Sequence, residues 1–149
     1  MSCEINLICP GFVTLETLIE ILSKEWEGVE TTLPGVLEYQ ISQLNHNLRI
    51  YELVPSKDVL AEYLNNDYFP EEIATKITKD YRFFCVVYND LELAKDVLHT
   101  LLEKLVLVGK TVWFESDFGW FVEARKLLHE LQSNDNFNWL TEDIPANLQ

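Results

Sequence analysis

The sequence is poor in positive charge. Lys and Arg number 11 against 25 Asp and Glu, for a formal net charge of −14. Such a chain repels nucleic-acid phosphates and anionic membrane surfaces over a Debye length of roughly 8 Å at physiological salt, so neither is expected as a partner. Cysteine is scarce: Cys3, Cys9 and Cys85 are odd in number and include no C-x-x-C pair. That argues against a secreted disulfide framework and, with no nearby His, against a zinc site. Long apolar runs are missing too. The longest mostly apolar stretch, Leu98 to Val108, is interrupted by Glu103 and Lys104 and is too short to span a bilayer. No basic region precedes an apolar run at the N-terminus, so no secretory signal is read and a cytoplasmic protein is expected. Glycine and proline are few, five of each. With no internal repeat and no low-complexity tract, one domain over 1–149 is the economical organisation.

The apolar content is ample. Residues of apolar type make up 48% of the chain, with four Trp, six Tyr and eight Phe, which is the composition of a packed core and not of a disordered segment. Glu4 to Cys9 reads as a strand stopped by Pro10-Gly11. Thr14 is a candidate N-cap for a helix to about Trp26, with Leu15, Leu18, Leu22 and Trp26 on one face and Gly28 after its end. Glu27 to Gly35 is the nearest thing to a linker. Leu37 to Leu53 alternates about an Asn45-His46-Asn47 turn and predicts a hairpin with one solvated face. Helical segments are expected over Lys57 to Leu64 and again after Pro70. Arg82 to Tyr88 is apolar on both parities, as a central strand would be. A helix follows over about Leu91 to Val106, then a strand from Lys110 to Glu115. A last helix, capped by Ser116 or Asp117, should turn Phe121, Ala124, Leu128 and Leu131 inward. The polar tail from Ser133 is expected to be pinned by Phe137, Trp139 and Leu140. The fold class is therefore α+β, a mixed sheet of about five strands containing one antiparallel hairpin and one parallel β-α-β unit, with helices packed on it.

Parallel strands tend to place ligands beyond their carboxyl ends. That rule gathers Asn89 and Asp90 with Glu115, Ser116 and Asp117. Three carboxylates, Asp90, Glu115 and Asp117, would suit a hard divalent cation such as Mg²⁺ or Ca²⁺, or general acid/base chemistry if like charge raised one pKa. Against this, Asn89, Asp90, Ser116 and Asp117 are all preferred helix caps standing where caps belong. The triplet Asp117-Phe118-Gly119 matches a protein-kinase metal-binding triplet, but the chain lacks the kinase glycine-rich loop, the His-Arg-Asp loop and the length. No G-x-S-x-G, H-E-x-x-H, G-x-G-x-x-G or phosphate-binding loop occurs. Trp113 and Trp120 lie in an aromatic stretch, Trp113 as expected core and Trp120 as core or interface anchor.

The charge excess is uneven. Residues 1–75 hold 13 acids and 3 bases, and residues 76–149 hold 12 and 8. The leading expectation is a non-enzymatic domain that binds a basic protein through Glu25, Glu27, Glu30, Glu38 and Trp120. In acidity and size the chain resembles small bacterial immunity or antitoxin proteins that cover basic nuclease toxins, which implies a basic protein partner. The alternatives are an enzyme using the carboxylate cluster, with a divalent cation as its only candidate cofactor, and a homo-oligomer joined by exposed aromatics.

Overall fold

Capping chemistry and side-chain alternation set the local elements. Thr14 is extended, its hydroxyl accepts the Thr17 amide and Thr17 Oγ1 accepts the Thr14 amide. Two orphan donors are thereby satisfied and α1 (Leu15–Leu22) begins. Asp90 satisfies one such donor for α4 (Leu91–Leu105), its Oδ2 accepting the Leu93 amide at 2.9 Å. The computed structural model describes residues 3–33, 36–53, 56–65, 69–77, 80–117 and 119–140. Within them the other helices are α2 (Ser56–Asn65), the short α3 (Glu71–Ala74) and α5 (Ala124–Ser133). The strands are β1 (Cys3–Cys9), β2 (Gly28–Leu33), β3 (Val36–Gln43), β4 (His46–Glu52), β5 (Arg82–Tyr88), β6 (Trp113–Glu115) and β7 (Phe121–Glu123).

These strands form one sheet of seven in the order β2-β3-β4-β5-β1-β6-β7, and every neighbouring pair is antiparallel. The α+β class and the hairpin agree with the sequence reading, but the mixed five-strand sheet does not. The linker-like stretch after Glu27 is β2, paired from Gly28↔Ile41 to Leu33↔Val36. Gly28 is required there because the Tyr39 ring lies over it, where any Cβ would overlap the ring. Residues 121–123, expected inside the last helix, are β7. Ser116 and Gly119, the latter at φ +80°, turn the chain back after β6, and Phe121 and Val122 then bury on opposite faces with the period of a strand. Ser116 and Asp117 therefore do not cap α5, which starts after Glu123. The expected β-α-β unit exists in direction only. β5 and β6 run the same way, but β1 lies between them, antiparallel to both.

Both faces of the sheet are covered, unequally. On one side α1, α4 and α5 pack over Ile5, Leu7, Ile41, Leu48, Ile50, Phe84, Val86 and Phe114. The tail is pinned here as expected, with Trp139 fully buried and Phe137 nearly so. On the other side Phe69, Ile73 and Ile77 close over Ile8, Phe83, Trp113 and Phe121. Trp113 is thus core, as the sequence suggested. Fully burying each such large apolar side chain stabilises by about 1.5–3 kcal/mol before entropy is counted. Beyond this second core the face turns polar toward the amino end of β1.

Candidate functional site

The carboxyl ends of β5 and β6 do lie at one end of the sheet, flanking the start of β1, but their polar residues are bonded into the body. Asn89 braces the β3–β4 turn: its Oδ1 accepts the Asn47 amide at 2.7 Å and its Nδ2 donates to the Asn45 carbonyl at 3.2 Å. Asp90 caps α4 and lies 3.7 Å from His46 Nδ1. Asp117 accepts the Glu4 amide at 3.0 Å and the Tyr88 hydroxyl at 3.2 Å. Tyr88 in turn accepts the indole N–H of buried Trp139 at 2.8 Å. Burial first, and then the nearby Asp117 charge, push the Tyr88 hydroxyl far above its ordinary range. Among the described residues no three His, Cys, Asp or Glu side chains group so as to hold a metal ion. Asp90, Glu115 and Asp117 are not brought together as the expected cation site.

Glu115 belongs to a different cluster, on the polar part of the second sheet face. Its Oε1 accepts Asn6 Nδ2 at 2.7 Å and the Tyr63 hydroxyl at 3.1 Å. Burial holds its pKa above the ordinary carboxylate value, while the Asn6 and Tyr63 hydrogen bonds pull it back and the Glu4 charge adds to the rise. Beside it Cys85 donates to Glu4 Oε2 at 3.8 Å. Burial raises the Cys85 thiol to about 11, and the Tyr51 hydroxyl is raised to about 12, chiefly by its hydrogen bond with Cys85. Buried Cys9 is raised further. Both thiols are therefore protonated at neutral pH, which leaves them poor nucleophiles. Sequence reasoning missed Asn6, Tyr63 and Tyr51. For Asn6 the available signal was a polar residue interrupting the apolar run Ile5 to Ile8.

The expected partner-binding residues divide. Glu38 is only 7% exposed and its Oε1 accepts Arg49 Nη1 at 3.0 Å, so it is spent inside the sheet. Trp120 is half-buried against Phe114, ring centroids 5.5 Å apart. Glu25, Glu27 and Glu30 are exposed, as are Glu16 and Glu20 on α1. The run of chain from α1 through β2 thus presents five carboxylates, with Lys24 as its one base. Among the described residues none of the five forms an ion pair. Glu25 instead accepts the Thr100 hydroxyl at 3.1 Å. The amino end of β2 lies beside the carboxyl end of β3, which leads into the β3–β4 turn, where Leu44 stands 99% exposed at φ +54°.

Two grooves lie elsewhere among the described residues. One of about 340 Å³ runs between the end of α4 and the start of α5 and is bordered by Lys110 and Arg125. The other, of about 430 Å³, lies between α4 and α5 beside Glu92, Asp96 and Asp135. Its basic residues are engaged: Lys95 donates to the Asp135 carbonyl at 2.8 Å, and His99 lies 3.1 Å from Glu103. No helix among the described residues is long and apolar enough to cross a membrane. No protein-family model matches this chain, and neither does any curated protein or solved structure.

Proposed function

We propose that the protein is a non-enzymatic binding domain whose α1–β2 margin engages a basic protein. The observation that carries this reading is the set of exposed carboxylates Glu16, Glu20, Glu25, Glu27 and Glu30, which have no cation of their own within ion-pair distance among the described residues. Unneutralised charge of one sign raises the local concentration of oppositely charged partners and speeds their association. The carboxylates of the β5–β6 corner support the reading by contrast, since hydrogen bonds within the protein already occupy them.

The test is affinity capture from native lysate on the immobilised chain, at low and high salt. Two variants run alongside. One carries Gln at all five margin positions. The other neutralises five exposed acids elsewhere, Asp58, Glu71, Glu92, Asp96 and Asp135. A basic protein should be retained at low salt by the wild type and the control, and lost from the margin variant. Equal retention on both variants would sink the assignment of binding to this margin.

A further inference from the structure

We infer that β2 is a docking edge for an extended, basic segment of the partner, which joins the sheet as an eighth strand. The inference rests on the reading of the margin as a surface for a basic protein. β2 is the outermost strand on its side of the sheet. Its six residues pair with β3 along their whole length. Among the described residues, nothing hydrogen-bonds to its outer edge. An edge of this kind offers a row of free N–H and C=O groups, and proteins usually blunt such rows with proline, charged side chains (lysine above all) or a bulge. Gly28 to Leu33 contains neither proline nor lysine, and its register with β3 runs without a bulge.

The side chains say what would fit. Glu30 opposes Tyr39, which faces the α1–α4 core, so Glu30 shares that side of the sheet with Gly28. Val29 opposes Gln40 and points to the other side, where it is 66% exposed. An incoming strand would place alternate residues beside Glu30 on one face and beside Val29 on the other. The matching sequence alternates basic and apolar residues. A second copy of this chain is disfavoured, because pairing two such edges would set the exposed Glu30 of one copy, which has no ion-pair partner among the described residues, in the strand beside that of the other. Strand addition of this kind draws affinity from main-chain hydrogen bonds and specificity from alternate side chains. The edge is held in place from behind: the Tyr39 ring covers Gly28, and its hydroxyl donates to the Trp26 carbonyl at 3.3 Å.

Titration of the full chain with three probes at low salt tests this: an eight-residue alternating Lys–Val peptide, the same peptide N-methylated throughout, and poly-L-lysine. Backbone N-methylation keeps the lysine charges and removes every main-chain N–H donor. The unmethylated peptide should bind at least roughly tenfold more tightly than the methylated one. It should also bind more weakly to a chain carrying Glu27→Gln and Glu30→Gln. Equal affinity for the two peptides, or binding of poly-L-lysine alone, would overturn strand addition while leaving the acidic margin as a binding surface. Failure of all three probes would remove both readings.

Discussion

Two regions of this protein are built from the same residue types and behave in opposite ways. At the β5–β6 corner and on the adjoining sheet face, Asp90, Glu115 and Asp117 each accept hydrogen bonds from the chain itself. Along α1 and β2 the carboxylates lie in solvent without cations. A carboxylate that satisfies a buried donor is part of the fold, because losing it strands that donor at a cost of about 1–3 kcal/mol. An exposed, unpaired one contributes little to stability and is free to meet a partner. Whether a carboxylate belongs to the structure or to recognition thus depends on where the fold puts it.

The comparison breaks first at the corner. Replacing Tyr88 with Phe leaves the indole N–H of fully buried Trp139 without its acceptor and Asp117 without one donor. Urea unfolding should show a loss of about 2 kcal/mol. An unchanged midpoint would mean the Trp139–Tyr88–Asp117 chain carries no weight. Glu115 sharpens the contrast through pH. Its carboxyl titrates higher in the fold than in the unfolded chain, mainly through burial. The native state therefore holds the extra proton, and this group's contribution falls as pH rises from below the ordinary carboxylate value through the raised one. The wild-type stability minus that of Glu115→Gln, measured at each pH, should decline over that window; a flat or rising difference would contradict the burial argument. The margin gives the smallest effect. Substituting Gln at Glu16, Glu20, Glu25, Glu27 and Glu30 should change stability by no more than about 0.5 kcal/mol, since the sites are exposed, none forms an ion pair among the described residues, and Gln keeps an acceptor for the Thr100 hydroxyl that Glu25 binds. A loss of several times that would show that these residues also belong to the fold.

Much of the local structure was legible in the sequence. Thr14 and Asp90 read correctly as caps, because a cap acts within three residues of itself. The both-parity apolar run of β5 correctly marked a strand covered on both faces. What failed was nearly always non-local. Gly28 looked like a helix terminator, yet it is the place where the Tyr39 ring crosses β2. Ser116 and Asp117 looked like caps for a helix that in fact begins after another strand. Glu38, read as a surface acid, is buried by its pairing with Arg49.

The sequence by itself determined the charge, the core composition, most helices and the hairpin, since all of these follow from composition and from interactions between near neighbours. Tertiary structure alone decided the order of the sheet. β1 meets partners about 80 and 109 positions away, as in the Asn6–Cys85 and Asn6–Glu115 pairs, and no local pattern encodes which strands it will separate. By entering between β5 and β6 it turned an expected parallel unit into an antiparallel sheet and parted the carboxylates expected to converge. β2, joined to the sheet on one side only, became its outer edge.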